Sequence, residues 1–318
     1  MTIAFLHEHP TWSKKLIQVL QDRIPSVRPI NVSELAFDTD TIPDGMTGAI
    51  NRINIMPSSS RPTQVVFQTM HYLNWLEQQG IRVLNGYRAQ VVGSSKVMQN
   101  GILASLNLPH PKGIAIFRPQ DALEAANKMG YPVITKPNIG GSGSGIGLYH
   151  TPEELEQAVT FKAIDFGVDR TGLVQQYIPN DGFVYRVEVL GDKLFYSIKQ
   201  PIVSGQFNYC AADGCATEAP GSQASDSDEG DFDFCALNNE AGIQLHEPSP
   251  TIIAQVAKIV SAAGADFGGV EYFINNETGQ PCFYDINPYS NFVSDEDLLG
   301  FSPEARFTQF VCDQFDLA

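Results

Sequence analysis

A single lysine followed by a loop of glycine and serine is the first feature of this sequence that could do chemistry. Lys136 ends a short apolar run, and five glycines lie between residues 140 and 147. Pro137 disfavours helical dihedral angles at Lys136, so the lysine should end an extended segment. Because glycine carries no Cβ atom, such a loop can bring backbone N–H groups close to an anion. The pattern predicts a phosphate-binding loop, and the alternatives are a flexible linker or a glycine-rich hairpin.

The spacing of these glycines excludes two familiar nucleotide-binding loops. The segment lacks the glycine–lysine–serine/threonine ending of a P-loop, and its glycines do not fit GxGxxG in any register. Its ligand therefore has to be inferred from the rest of the chain.

A second group of polar residues lies on a predicted hairpin near the carboxyl end of the chain. The turn-forming residues 275–280 centre this hairpin near Thr278, which places Glu271 opposite Asp285. Asn287 lies two residues after Asp285 and therefore on the same face of the strand. Two carboxylates and an amide oxygen suit Mg²⁺ or Mn²⁺ held jointly with substrate phosphates. The alternative is that these carboxylates are simply solvated.

A third segment, residues 173–179, is an apolar strand that ends at a proline. Such a strand can present backbone N–H and C=O groups to the edge of an adenine ring. Taken alone it has the composition of any buried strand.

The elements that must position these residues fall into three parts. Strands predicted at 3–6, 29–32, 48–53 and 81–84 alternate with helices at 12–24 and 63–79, which indicates a parallel α/β domain over residues 1–93. Residues 94–172 predict a compact central α+β unit around the glycine loop. Residues 173–318 predict antiparallel hairpins, one of them turning at Gly191-Asp192. Inside this last part, residues 205–250 form an acidic, polar insertion.

Composition limits the classes of partner. The 318 residues are 43% hydrophobic and carry a net charge of −16, which argues against a nucleic-acid or anionic-membrane surface. No apolar run approaches a membrane span, the start lacks a signal-peptide pattern, and five cysteines suit a reducing compartment. We therefore expect a cytoplasmic protein with small-molecule partners, and we expect a homo-oligomer.

The glycine loop, the apolar strand and the carboxylate hairpin occur in the order typical of ATP-grasp enzymes. The sequence resembles that superfamily over nearly its full length, most closely the RimK-type glutamate ligases and glutathione synthetases, with D-alanine–D-alanine ligase more distant. The matching segments are Asn51-Arg52-Ile53, Leu84-Asn85-Gly86, Ser95-Lys96, residues 132–137, residues 174–178, Arg186 and Asp285-Ile286-Asn287.

This resemblance implies an α/β (α+β) ATP-grasp fold with ATP bound between a central lid domain and an antiparallel-sheet domain. Arg186 would stabilise the transferred phosphoryl group, and Glu271, Asp285 and Asn287 would bind Mg²⁺ or Mn²⁺. The residues expected to contact ATP are Lys96, Lys136, Gly141, Ser142, Gly143, Ser144, Gly145, Gln175, Gln176, Tyr177, Ile178 and Asn208. Apart from the resemblance, Lys199 lies on a hairpin strand and could reach a phosphate as a second catalytic residue, or could be a surface lysine.

Three departures from the family pattern limit what can be carried over. Tyr185 and Ser95 replace aspartates, and Asp285 replaces the metal-binding glutamate. Aspartate and glutamate are both hard oxygen ligands, so the last change preserves metal binding. The change at Tyr185 means that RimK-type substrate choice cannot be carried over.

Other polar residues carry less chemical signal. Cys210, Cys215 and Cys235 have no CxxC spacing and no nearby histidine before His246, so a zinc site is disfavoured. His7 and His9 follow the first strand, where doubly wound sheets place ligand loops.

The resemblance implies an ATP- and Mg²⁺-dependent ligase that joins a carboxylate to an amine through an acyl-phosphate. Its substrates would be a small carboxylate and amine, such as amino-acid-like molecules, or a peptide or protein terminus. The alternatives are an ATP-grasp kinase of small molecules and a nucleotide-binding regulatory protein without turnover.

Overall fold

The computed structural model describes residues 2–8, 11, 13–53, 63–141, 143–202, 242–290, 292–293 and 295–317. The elements in chain order are β1 (Thr2–His7), α1 (Lys14–Arg23), β2 (Val27–Asn31), β3 (Met46–Asn51), α2 (Gln64–Gln78), β4 (Arg82–Leu84), α3 (Tyr87–Gly93), α4 (Lys96–Ser105), β5 (Gly113–Ile116), α5 (Asp121–Met129), β6 (Val133–Pro137), β7 (Gly147–Tyr149), α6 (Pro152–Thr160), β8 (Gly172–Gln176), β9 (Phe183–Leu190), β10 (Lys193–Pro201), β11 (Gln244–Leu245), α7 (Pro250–Ala262), β12 (Phe267–Ile274), β13 (Pro281–Asn287), α8 (Glu296–Leu299) and α9 (Pro303–Gln314).

The N-terminal sheet is parallel throughout, as the alternation of strands and helices predicted. Its strand order is β2-β1-β3-β4. Four consecutive residues of β1, Ile3 to Leu6, are completely buried because both faces of a parallel sheet are covered. One face packs on α2, and the other packs on α9 and on residues of β10.

The central sheet is antiparallel and has the order β5-β8-β6-β7. Small and apolar residues of α5 and α6, such as Ala122 and Leu155, pack on this sheet around Val133 and Val174. Strand β8 begins at Gly172 and lies between β5 and β6. The boundary predicted between residues 172 and 173 therefore falls inside this strand. The predicted adenine-binding strand is therefore an inner strand of the central sheet.

The C-terminal sheet is antiparallel, with the order β11-β10-β9-β12-β13. Helix α7 packs on one face, and α4 packs beside it through Leu103. The side chain of Gln99 on α4 accepts a hydrogen bond from the backbone N–H of Ile286 (3.2 Å) and donates one to the carbonyl of the same residue (2.9 Å). Helix α4 precedes the central sheet in the chain, yet it is fixed to the C-terminal sheet.

Two hairpins have the turns that the sequence predicted. Leu190 pairs with Lys193 across Gly191-Asp192, and Glu271 pairs with Asp285. Each ladder also contains a one-residue shift, between Leu194 and Tyr196 in β10 and next to Glu271 in β12. Such bulges change which residues share a face farther along the strand.

The short helix α3 was not predicted from the sequence. Its seven residues give less than two full turns of apolar periodicity, and it ends in Gly93. Within the described residues, no helix has the length and apolar character needed to cross a membrane.

Asn85 joins the N-terminal sheet to the C-terminal sheet. It is completely buried just after β4 and has a left-handed backbone, with φ at 55°. Its Nδ2 donates to the carbonyls of Phe267 (2.9 Å) and Pro288 (2.6 Å), and its Oδ1 accepts from the backbone N–H of Asp266 (2.8 Å). One side chain therefore fixes the end of β4 against the start of β12 and the end of β13.

Replacing Asn85 by alanine should destabilise the protein strongly, because it removes these bonds and leaves buried backbone groups unpaired. We expect a loss of about 3 kcal/mol in the free energy of unfolding, measured by chemical denaturation. Asn107→Ala is the matched control, because Asn107 also has φ at 55° but is exposed. Its free energy of unfolding should fall by only about 1 kcal/mol, which is the cost of placing alanine in a left-handed backbone conformation. Equal losses in the two variants would contradict a role for the side-chain bonds of Asn85.

Candidate functional site

Charged residues form two adjacent rows on one face of the C-terminal sheet. In the first row, Arg186 pairs with Glu271, which pairs in turn with Asp285. In the second row, Gly269 lies between Glu188 and Asn287. Residues that are directly opposite each other share a face, so all of these side chains point the same way. A Cβ atom on Gly269 would collide with the carboxylate of Glu188, so glycine leaves the space that this carboxylate occupies.

The two predicted phosphate-binding lysines meet at this face from different elements. Lys96, at the start of α4, donates from Nζ to Oδ1 of Asp285 and to Oε1 of Gln99 (3.4 Å). Lys136 comes from β6 and is buried. Burial, with a smaller contribution from the charge of Lys96, lowers the pKa of Lys136 to about 7, although Asp285 opposes the shift. The ammonium of Lys136 is thus close to the ammonium of Lys96 and to the carboxylate of Asp285.

Asn138 holds the start of α4 next to the end of β6. Its Oδ1 accepts hydrogen bonds from the Ser95 hydroxyl (3.0 Å) and the Val97 backbone N–H (3.0 Å), and its backbone carbonyl accepts from the N–H of Lys96 (3.1 Å). Its Nδ2 donates to Asp169 (2.7 Å). Ser95 is also the N-cap of α4. Sequence reasoning assigned no role to Asn138, although it lies between Lys136 and the glycines.

The acidic residues of the first row repel each other. Burial and then the negative charge of Asp285 raise the pKa of Glu271 to about 7, while a hydrogen bond from the Tyr284 hydroxyl (2.6 Å) opposes the shift. Oδ1 of Asn287 accepts from the backbone N–H of Tyr289 (3.1 Å), and an amide oxygen has a second lone pair for a ligand.

These residues fit a Mg²⁺ or Mn²⁺ ion. Glu271, Asp285 and Asn287 offer oxygen atoms on one face, and oxygen is the ligand that both ions prefer. In the described part of the chain, no group of three His, Cys, Asp or Glu side chains could hold a metal by itself. The protein ligands would therefore be two carboxylates and one amide, completed by substrate oxygens.

Arg186 is buried and is held by two residues that sequence reasoning missed. Its Nε donates to Glu188 (2.5 Å), and its guanidinium contacts the Tyr196 hydroxyl (3.4 Å). Burial opposes the charge, but Glu188 outweighs it and raises the pKa of Arg186. Glu188 also accepts a hydrogen bond from the Ser290 hydroxyl (2.6 Å). Its position two residues after Arg186 was the signal in the sequence that could have identified it.

The glycine loop joins β6 to β7, so it is the loop of a hairpin, and its first glycine, Gly140, is four residues after Lys136. Gly143 and Gly145 have φ values of 70° and 72°, which other residues rarely adopt. Short turns form within it, since the N–H of Ser144 donates to Gly141 (3.1 Å). The hairpin alternative from the sequence is therefore correct, and it is compatible with phosphate binding. Ser142 lies outside the described residues.

The predicted adenine-binding segment has part of its hydrogen bonding already satisfied. The N–H of Gln176 donates to the carbonyl of Lys112 (2.8 Å), and that of Tyr177 donates to the carbonyl of Pro132 (3.2 Å). The Gln175 side chain is buried against Pro111 (3.5 Å). Ile178 is also buried. An adenine contact from Gln176 and Tyr177 would therefore use their carbonyl groups or side chains.

The structure does not bring Lys199 to the charged face. Lys199 pairs with Tyr185, whereas Arg186 pairs with Ile198, so Lys199 projects from the opposite face of the sheet. There its Nζ lies 5.2 Å from the centroid of the Phe183 ring. Asn208 and the three cysteines at 210, 215 and 235 lie outside the described residues.

Comparison with known proteins gives matches in sequence. Residues 95–194 match the family model described as the ATP-binding domain of the carbamoyl-phosphate synthase L chain. The D-alanine–D-alanine ligase of Deinococcus radiodurans is 25% identical over 224 residues, which cover 66% of this chain and 59% of that ligase. The α-aminoadipate–LysW ligase LysX of Saccharolobus solfataricus is 27% identical over 124 residues, or 37% of this chain and 43% of LysX. The chain thus spans less than two thirds of the length of either relative.

Solved structures match over 98–99% of the chain. A RimK-domain ATP-grasp protein of Sphaerobacter thermophilus has a TM-score of 0.68 at 17% identity, covering 98% of this chain and 99% of its own. The ATP-grasp ligase PsnB, solved with a minimal precursor, has a TM-score of 0.64 at 14% identity, covering 99% of both chains. D-alanine–D-alanine ligase from Bacillus anthracis has a TM-score of 0.61 at 15% identity, covering 98% of this chain and 96% of its own. The topology and these likenesses agree, and the protein has the ATP-grasp fold that its ordered motifs predicted.

Proposed function

We propose that this protein is an ATP-dependent ligase that joins a carboxylate to an amine. The observation that carries the proposal is the meeting of Lys96, Lys136 and Arg186 with Glu271 and Asp285 on one face of the C-terminal sheet. Phosphoryl transfer needs mainly positioning and neutralisation of charge, and this set supplies both. Its relatives and structural neighbours include proteins named as ligases, one of them as an ATP-grasp ligase.

The two lysines would neutralise the phosphates of ATP. In the structure, Lys96 pairs with Asp285. When nucleotide and metal bind together, Lys96 would pair with a phosphate oxygen and Asp285 with the metal. Each charge then keeps a partner of opposite sign, which avoids leaving a partly buried charge uncompensated.

Glu271, Asp285 and Asn287 would hold Mg²⁺ or Mn²⁺. Through these three side chains the site would hold a divalent cation, whose chemistry would be to neutralise negative charge on the phosphates. Tyr284 keeps the Glu271 carboxylate in place through its hydrogen bond of 2.6 Å.

Arg186 would act on the transferred phosphoryl group. The substrate carboxylate would attack the terminal phosphorus, ADP would leave, and an acyl-phosphate would form. An amine would then attack the carbonyl carbon, and the C–O bond to phosphate would break as the amide forms. Because Glu188 and Tyr196 fix the guanidinium of Arg186, little reorganisation is needed as negative charge develops.

The glycine loop would cover the reacting phosphates. An acyl-phosphate is hydrolysed by water, so a lid that excludes water favours ligation. The loop starts next to Lys136, so it can reach the phosphates that this lysine binds.

We infer that the substrate is a small amino-acid-like molecule or a peptide. The relatives are named for D-alanine and for α-aminoadipate with LysW, and PsnB was solved with a precursor peptide. Tyr185, which donates to Asp181 (2.7 Å) and stacks on Tyr272 at 5.0 Å, occupies the position where RimK-type enzymes have aspartate.

An ADP-release assay over pairs of carboxylates and amines tests the proposal. A ligase should release ADP and phosphate only when both substrates are present, and an amide product should appear by mass spectrometry. ADP and a phosphorylated product with one substrate alone would indicate a kinase. Nucleotide binding with no ADP from any pair would reject catalysis.

Lys96→Met should lower kcat/KM by about 100- to 1,000-fold, because a cation next to the phosphates is lost. Lys199→Met is the control from the opposite sheet face and should stay within about threefold of the parent protein. Both values come from the ADP-release assay with one fixed substrate pair. A large loss of kcat/KM in Lys199→Met with a small loss in Lys96→Met would contradict the role given to Lys96 and favour Lys199 instead.

ATP binding at about pH 8 should take up close to one proton, because Lys136 has a pKa of about 7 and phosphate favours its charged form. Calorimetric titration in buffers of different ionisation enthalpy measures this uptake. Lys136→Arg stays charged, so it should bind ATP without the uptake. Identical uptake in both proteins would assign the proton to another group.

In the metal-free protein, Glu271 should make stability fall as the pH rises. Its pKa is 4.5 in the unfolded reference and about 7 when folded, so between these values the folded state binds more protons. Chemical denaturation across this range should show the fall, and Glu271→Gln should reduce it. Glu277→Gln, in the exposed turn of the same hairpin, should leave the slope unchanged. If both variants kept the parent slope, Glu271 would not be its source.

A further inference from the structure

Arg52 lies where the parallel sheet meets the charged face, and it is not among the residues proposed to bind ATP or the metal. It follows β3 directly, and its backbone N–H donates to the carbonyl of Leu6 (3.0 Å) at the end of β1. Ligands of parallel α/β sheets bind beyond the carboxyl ends of the strands. Arg52 is therefore at the edge of the N-terminal sheet where a ligand is expected.

The guanidinium of Arg52 is only partly satisfied by the protein. Its Nη2 donates to the carbonyl of Ser290 (2.8 Å), and its Cζ lies 4.3 Å from the centroid of the Phe292 ring. The rings of Phe267 and Phe307 are within 6 Å as well, at 5.6 and 5.8 Å. Its Nη1 is buried and has no hydrogen-bond acceptor among the described residues. A buried charged donor without an acceptor is costly, so a ligand that accepts from Nη1 would be favoured.

Arg52 lies near one buried carboxylate, Glu188, and near a second guanidinium, that of Arg186. Glu188 is almost completely buried and is shared between two arginines: it binds Arg186 directly, and it binds the hydroxyl of Ser290, whose carbonyl binds Arg52. Glu188 is the carboxylate that most favours the charged form of Arg52. Arg186 also lies next to Glu271, whereas Glu188 is the carboxylate that Arg52 and Arg186 share.

The same contacts fix the position of Arg52 relative to Arg186, where the proposed reaction takes place. A continuous chain of contacts runs from Arg52 through Ser290 and Glu188 to Arg186. Arg186 lies on the sheet face of Glu271 and Asp285, while the backbone of Arg52 lies at the ends of β1 and β3. A substrate that reacts next to Arg186 can therefore extend toward Arg52.

We propose that Arg52 binds a carboxylate of the substrate that does not take part in the reaction. This inference rests on the proposed ligase function, since it concerns the substrate of the same site. The substrate class is then restricted to molecules with a free carboxylate besides the reacting group. That carboxylate belongs either to the activated partner, which would be a dicarboxylate, or to the amine partner, which would be an amino acid.

Binding of simple probes to the full chain tests this proposal. Succinate and its uncharged diamide represent the first source, and L- and D-alanine with their amides represent the second. Binding is followed by ligand-observed NMR with ADP and Mg²⁺ present. We expect a carboxylate probe to bind and its amide not to bind. Arg52→Gln should weaken the binding of that probe about 10- to 100-fold, because a charge-assisted hydrogen bond is lost.

Arg306→Gln is the matched control. Arg306 also lies over a phenylalanine ring, 3.4 Å from the centroid of Phe301, and also donates to a backbone carbonyl, that of Phe195 (3.2 Å), but it is exposed on α9. This variant should bind the probes like the parent protein. If Arg52→Gln fails to fold, Arg52→Lys replaces it, since it keeps the charge but loses the planar donors, and it should bind the probe about tenfold more weakly.

The outcomes separate this inference from the ligase proposal. Equal probe binding by the parent protein and by the folded Arg52 variant overturns it, and so does a parent protein that binds no carboxylate probe. With either of these two results, Arg52 has only a structural role and its guanidinium is stabilised by the neighbouring aromatic rings. Selective loss of carboxylate binding in the variant supports the inference, even where no substrate pair releases ADP and the ligase proposal fails.

Discussion

The site depends on one constraint, which is that charges buried on one sheet face must each have a partner of opposite sign. Arg186 lies next to Glu188 and Glu271, and Lys96 lies next to Asp285. Removing water from these groups is costly, and only paired or ligand-bound charges repay it. The pKa values near 7 of Lys136 and Glu271 show where this compensation is incomplete. Those are the groups that ligands with strong charges, such as phosphates and divalent cations, would satisfy.

The fold meets this constraint by drawing the charges from all three sheets. The C-terminal sheet supplies the carboxylates and Arg186, the central sheet supplies Lys136, and the end of β3 supplies Arg52. Asn85 and Asn138 hold these parts in register, each by several hydrogen bonds from one side chain. A buried asparagine can bond two backbone strands at once, since it has both donors and an acceptor. The precision of the site thus depends on residues that touch no reacting group.

Much of the fold could be predicted because its signals are local. Strand–helix alternation predicted the parallel sheet, and turn residues predicted that Glu271 faces Asp285. Lys199 shows where local signals are insufficient. An unbroken hairpin at Gly191-Asp192 would pair Lys199 with Val184, on the face of Arg186. A one-residue bulge in β10 shifts the pairing to Tyr185 and turns Lys199 to the other face. No sequence pattern signals this bulge, and contacts such as Glu188 with Ser290 depend on tertiary packing.

The anchoring of α4 has a mechanical consequence. Gln99 fixes α4, and with it Lys96, to the C-terminal sheet, whereas Lys136 belongs to the central sheet that carries the glycine loop. Asn138 connects the two parts at the lysines themselves. A rotation of the central sheet about Asn138 would work as a lever with its pivot in the candidate site. The tip of the loop would then travel far while the spacing of the two ammonium groups changed little. The cleft could open without dispersing the positive charge that, in the proposed function, would attract the nucleotide.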